Sequence, residues 1–201
     1  NAFSKSMIES LFISPKNELE DGWCDCTYKL TNVEISPKND RFRFLDDKHQ
    51  IIVSKSDLSN DNYDVICFAC RSIQEVIIPS FIKEISSSAF SDCKKLIKIE
   101  ISEKSELFSI GMNAFWSTSI ENILIPRNIN EIWYGVFADC NVLEIIEFLG
   151  DYLYDSSDLF CSLEKIKIIS FPNIRKIRIK DEDVYHINDS KIFVCSGANF
   201  M

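Results

Sequence analysis

One spacing recurs along this chain and constrains its fold more than any composition figure does. An apolar-x-x-apolar-x-apolar core occurs at Ile8/Leu11/Ile13, Leu30/Val33/Ile35, Ile73/Val76/Ile78, Leu96/Ile99/Ile101, Ile120/Ile123/Ile125, Leu143/Ile146/Phe148, Leu163/Ile166/Ile168 and Ile174/Ile177/Ile179. The cores start at 8, 30, 73, 96, 120, 143, 163 and 174, so the steps are 22, 43, 23, 24, 23, 20 and 11. Four steps lie within 22–24, and 43 is close to two periods with one copy missing. Other columns hold the same register. Ile85, Ile110 and Ile132 each stand four residues before Ala89-Phe90, Ala114-Phe115 and Val136-Phe137, and Asp-Cys follows at Asp92-Cys93 and Asp139-Cys140. The first fourteen residues, NAFSKSMIESLFIS, align without a gap on NAFWSTSIENILIP at 113–126. The stretch Trp23-x-Asp25-Cys26 matches Phe90-x-Asp92-Cys93 if one extra residue is allowed before Leu30.

The last three residues of each core alternate, so Val76 and Ile78 point one way and Ile77 the other, as in a short strand. One such strand per 22–25 residues is the pattern of a leucine-rich-repeat solenoid. Here 30 Ile outnumber 13 Leu, a swap that keeps the geometry because β-branched residues suit a buried pleated surface. The expected fold is a right-handed leucine-rich-repeat solenoid, mainly parallel β. Short helical turns are expected on the convex side, where the Ala-Phe pairs fill each coil, with β-hairpins inserted. Five Gly and five Pro in 201 residues exclude collagen-like and linker classes and leave no phosphate-cradling glycine loop.

The array is read as one domain, a fragment of a longer array, with N-terminal repeats at 1–36 and further repeats at 70–180. Residues 37–69 form a hairpin and loop insertion, with strands around Arg43–Leu45 and Ile51–Val53 across an Asp46-Asp47-Lys48 turn. The tract Lys55–Asp64 is the expected mobile loop. A second hairpin is expected in 181–201, turning at Asn188-Asp189-Ser190.

The segment IPSFIKEISSSAFSDCKKLIKIEI at 78–101, repeated at 125–148, resembles the BspA-type leucine-rich repeat of surface proteins from mucosal bacteria and protists. The resemblance covers roughly 1–36 and 70–180. It implies a surface-displayed adhesion or interaction module whose partner is a protein, some relatives binding host matrix proteins. The alternative is an intracellular scaffolding repeat within a larger assembly, and a complete N-terminus would discriminate the two.

Net charge is −9, the wrong sign for a generic nucleic-acid binder, whose affinity rests on neutralising phosphates. No apolar run approaches 18 residues, so nothing in this segment is expected to insert in a membrane. A repeat array binds through the outward residues of its strands. The central outward column reads Phe12, Glu34, Ile77, Glu100, Leu124, Glu147, Lys167 and Arg178, and these are the candidate concave-face binding residues. Apolar positions between glutamates suit an interface with a mildly basic protein. The plain alternative is a solvated face with ordinary exposed apolar residues.

Eight cysteines in 201 residues are too few for a disulfide scaffold. Cys26, Cys93 and Cys140 occupy the repeat slot, where a small buried residue packs well. Cys24-x-Cys26 and Cys67-x-x-Cys70 are spaced poorly for structural zinc, so no metal and no cofactor is expected. The histidines, His49 and His186, lie on the hairpins. Cys195 near His186 lacks a third group and an oxyanion motif, so no catalytic residue is assigned.

Overall fold

The computed structural model describes residues 3, 5–59 and 61–150, and beyond them the strand backbone at 152–153, 168–170, 176–179, 183–186 and 192–193. Two strands open the chain, β1 (Ser10–Ile13) and β2 (Asn32–Ile35), paired in parallel with Phe12 opposite Glu34. The insertion supplies β3 (Phe42–Phe44), β4 (Ile51–Ser54) and β5 (Val65–Ala69). Long and short strands then alternate: β6 (Glu75–Ile78), β7 (Glu84–Ile85), β8 (Lys98–Ile101), β9 (Ser109–Ile110), β10 (Asn122–Ile125), β11 (Glu131–Ile132) and β12 (Ile145–Phe148). Five more follow, β13 (Tyr152–Leu153), β14 (Ile168–Ser170), β15 (Lys176–Ile179), β16 (Asp183–His186) and β17 (Ile192–Phe193).

Each coil therefore lays down one long strand, one short strand and a return segment, the plan of a β-solenoid. The long strands form one wall, in which β6 pairs with β8 and β10 with β12, all parallel. The short strands β7, β9 and β11 form a second parallel wall. Alternation does what it predicts. Val76, Ile78, Ile99, Ile101, Ile123, Ile125, Ile146 and Phe148 are buried, and Ile85 and Ile110 meet them from the second wall.

The return segments are not helical, and no helix occurs among the described residues. Two columns of left-handed backbone flank the Phe position. Gly22, Ser88, Asn113 and Gly135 stand two residues before it, and Cys26, Asp92, Ser117 and Asp139 two after, all with φ between 54° and 68°. These residues turn alternate N–H groups out of the coil. Ser88, Phe90 and Asp92 donate to the carbonyls of Met112, Ala114 and Trp116, and Asn113, Phe115 and Ser117 donate to Tyr134, Val136 and Ala138, at 2.8–3.0 Å. A helix would turn those donors onto its own carbonyls and leave the next coil without partners. Backbone bonding between coils thus decides against the helical turns that Ala and Phe suggest. Coils also approach closely: a Cβ on Gly111 would stand 2.4 Å from the Ser87 nitrogen.

The same columns correct the first-coil alignment. Leu30 N–H bonds the Thr27 carbonyl as Leu96 N–H bonds that of Cys93, and Cys26 shares the left-handed conformation of Asp92. The match is gapless. Thr27 fills the Cys93 slot and Cys24 the Phe90 slot, so Cys26 lies outside the slot and is half-buried.

The insertion is built into the array. Its expected hairpin forms, β3 antiparallel to β4, with Asp46 accepting the Gln50 and Ile51 N–H groups at the turn. β4 pairs with β5, and β5 runs parallel to β7 with Ile66 opposite Ile85, so the hairpin extends the short-strand wall. All five β5 residues are buried. Ile66 and Ala69 face the main core, while Cys67 and Phe68 face a second one with Trp23, Leu30, Phe42 and Ile52. The tract 55–64, expected as a loose loop, is fastened at its end. Buried Asp64 accepts the Ser56 N–H and Oγ–H at 3.0 Å and the Lys83 ammonium at 2.9 Å. Burial raises the Asp64 carboxyl, but the Lys83 and Ser56 donors outweigh it and its pKa falls below the ordinary value.

One expectation near the C-terminus is corrected. Ile145 pairs with Ile168, so Ser170, not Lys167, stands opposite Glu147. The copy there reads Ile166/Ile169/Phe171, one full 23-residue step after Leu143, and the copy read at Leu163 was three residues out of register. Of the expected 181–201 hairpin only strand backbone is described, in which β16 pairs with β15 and β17 with β14, both antiparallel.

Candidate interaction surface

Strand register determines which of the outward residues meet. Parallel pairing sets Phe12 beside Glu34, Ile77 beside Glu100 and Leu124 beside Glu147, and β8 lies alongside β10. Neighbouring strands stand about 4.8 Å apart, so Ile77, Glu100, Leu124 and Glu147 form a continuous row. Ile77 is 71% exposed and Phe12 58%, whereas Leu124 and Glu147 are half-buried. Lys98 and Glu100 pair at 2.6 Å along β8; both are exposed, so the pair orders the surface more than it stabilises it. Ile97, at the edge of this wall, is also exposed. Lys167 lies outside the described residues. Arg178 belongs to β15, whose partners are β13 and β16 rather than the long-strand wall. Of the two basic residues expected to end the row, Arg178 therefore stands on a different sheet.

Beneath the surface, the repeat slot holds Thr27, Cys70, Cys93, Thr118 and Cys140. Thr and Cys interchange there because each carries a small donor. Cys140 Sγ–H donates to the Phe115 carbonyl at 3.1 Å and lies 3.3 Å from Thr118 Oγ1. Cys93 reaches the Ala69 and Cys70 carbonyls at 3.8 Å, and Thr27 Oγ1 donates to Cys24 O at 2.7 Å. Burial pushes the thiols up, Cys93 and Cys70 to about 11 and Cys24, Cys67 and Cys140 also upward. At neutral pH they remain protonated and unreactive.

Arg71 stands among these thiols, fully buried. One guanidinium nitrogen, Nη2, donates to the Cys24 carbonyl at 2.9 Å and Thr27 Oγ1 at 3.1 Å. The other, Nη1, donates to the carbonyls of Ala89 at 3.1 Å and Ala69 at 3.3 Å, and reaches Cys93 Sγ at 3.8 Å. Its plane lies over Phe68 at 4.9 Å. Arg71 was not singled out from the sequence: one charged residue between two cores has no periodic signature. It joins the first coil to the coil carrying Ala89-Phe90. Outside it, Ser87 N–H and Oγ–H donate to Asp21 at 2.8 and 2.5 Å across the same junction.

The BspA type leucine-rich repeat region matches residues 63–188 in six copies, more than half of the chain. The chain belongs to the BspA-type leucine-rich repeat family. The fold is similar to that of a leucine-rich repeat protein from Eubacterium ventriosum, at 21% identity and a TM-score of 0.65 over 80% of this chain and 42% of that one. It is also similar to the pneumococcal vaccine antigen PcpA, at 18% identity and a TM-score of 0.57 over 88% of this chain and 46% of that one. The BspA-type chain spans less than half the length of either solved chain. No curated protein sequence matches it.

Among the described residues of this BspA-type array, no three His, Cys, Asp or Glu side chains converge on a point that could hold a metal ion, and no helix is long and apolar enough to cross a membrane. His49, left-handed in the hairpin turn, stacks on Phe44 at 4.3 Å. Cys195 lies outside the described residues, as does the turn 188–190. Native alkylation followed by peptide mass mapping should label Cys26 and spare Cys24, Cys67, Cys70, Cys93 and Cys140; brief denaturation should expose all six. Rapid native labelling of Cys93 or Cys140 would contradict the closed interior.

Proposed function

We propose that this segment is a protein-binding module of a surface-displayed protein and that it engages its partner through the long-strand wall. The observation that carries this reading is Ile77, 71% exposed in a row with Glu100, Leu124 and Glu147. An apolar centre with an acidic surround fits a partner presenting an apolar contact ringed by basic side chains. Family membership and the likeness to a vaccine antigen support display at a cell surface. The fold, a stack of coils, supports binding rather than catalysis. Host matrix proteins are the partner class to try first.

The test is surface plasmon resonance of the full chain over immobilised matrix proteins. Ile77→Ser should weaken binding about tenfold, a loss of about 1.4 kcal/mol. Glu100→Lys combined with Glu147→Lys should slow association and reduce its dependence on salt. Unchanged affinity and rates in both variants would remove this wall as the interface. Absence of binding to every matrix protein would remove the partner class.

A further inference from the structure

We propose that the cavity between the β3–β4 hairpin and the flank of the array is a binding site for a neutral sugar residue. It is separate from the long-strand wall and does not rest on that wall binding protein. The cavity, half open to solvent, offers about 410 Å³ where the tract before β5 meets the segments leading into β7 and β9. That volume lies within the range of small-ligand sites.

Tyr63 and Phe81 both line the cavity, but only Phe81 has a ring to offer. The Tyr63 ring is covered by the Arg43 guanidinium at 4.0 Å and the Lys55 ammonium at 5.0 Å, and its hydroxyl donates to the Asp40 carbonyl at 2.8 Å. Phe81 is 46% exposed. The face of an aromatic ring is negative, and the C–H groups of a pyranose are polarised positive by their oxygens. A sugar ring laid on Phe81 would satisfy both surfaces.

Charge decides between a neutral and an ionic ligand. Lys83 is paired with Asp64 and Lys55 with Asp61, each at 2.9 Å. Those pairs cancel, which leaves Arg43 and Glu106, of opposite sign, on the lining. The site therefore has no net charge to hold an anion or a cation. Its polar groups are planar: the Arg43 fork donates, the carboxylates accept, and the Asn62 amide does both. Vicinal sugar hydroxyls also donate and accept, so planar groups of both kinds can bond two of them at once.

Amide chemical shifts of the full chain, titrated with methyl glycosides of mannose, galactose and N-acetylglucosamine at millimolar concentration, test the proposal. At least one glycoside should shift the Asn62, Phe81 and Glu106 amides together. Phe81→Ala should weaken that binding about tenfold with the remaining spectrum unchanged, and Phe12→Ser on β1 should leave it intact. No shift at these amides with any of the three glycosides would overturn the proposal. So would unaltered affinity in Phe81→Ala, or shifts produced only by N-acetylneuraminate or a free amino acid, which would make the site one for charged ligands.

Discussion

Arg71→Leu is expected to destabilise the chain by roughly 3–4 kcal/mol, the cost of leaving several buried acceptors without donors. In urea this should appear as a fall in midpoint of about 1–2 M. Replacing a whole buried ion pair with apolar groups is often harmless, because both partners are removed together. Arg71 has no such partner to remove: its acceptors include the backbone carbonyls of Cys24, Ala69 and Ala89, which no side-chain substitution can delete. Arg71→Lys should recover less than half of the loss, since an ammonium is a compact point donor and cannot span carbonyls on two coils as a fork does. Burial lowers the Arg71 pKa, but Cys24 and Cys93 beside it outweigh that effect and the net shift is upward from the ordinary guanidinium value. With the folded value above the unfolded one, the contribution is fully present below the unfolded value and is lost only as pH rises through the folded one, far above neutrality. The difference between wild type and Arg71→Leu should therefore stay constant from pH 5 to 9. A midpoint unchanged by Arg71→Leu would show that the junction is held elsewhere.

The position of Arg71 explains the 43-residue step in the repeat. At that step β5 supplies the short strand of a coil, but Ala69 runs directly into Cys70 and the return segment is missing. Elsewhere the return segment hands alternate N–H groups to the next coil. Here its absence leaves the first coil's Cys24 carbonyl facing the Ala89-Phe90 coil with no backbone between them. The Arg71 donors reach both sides of that gap.

Strands were legible from the sequence because alternation follows directly from burial: every inward residue of β6, β8, β10 and β12 is apolar. Handing bonds from coil to coil was not legible, because Ser88, Asn113 and Gly135 share a backbone conformation and no side-chain type. By letters Cys26 matches Cys93, whereas by conformation it matches Asp92 and Thr27 fills the slot. Leu163/Ile166/Ile168 and Ile166/Ile169/Phe171 both fit the pattern by letters, and only strand pairing to β12 chooses between them. The cavity beside Phe81 joins residues from four separate segments, which no spacing rule connects.

Phe115→Ala should cost roughly 3–5 kcal/mol, the range for truncating a buried aromatic in a core that cannot close around the gap. Phe115 is fully buried between two like rings, Phe90 at 5.3 Å and Phe137 at 5.9 Å, with interplanar angles of 18° and 7°. Its neighbours cannot move in to fill the space, because their backbones are bonded to the coil that carries it. Phe115→Leu keeps most of the volume and should lose less than about 1.5 kcal/mol. The effect should also alter the shape of unfolding. A solenoid's stability is approximately a sum of coils and nearest-neighbour interfaces, and residue 115 contributes to two interfaces in the middle of the stack. Weakening both should uncouple the coils on either side, so that urea unfolding of Phe115→Ala broadens or splits while that of Phe115→Leu stays single. A sharp single transition in Phe115→Ala, displaced by less than about 1 kcal/mol, would mean that the rings are not what couples one coil to the next.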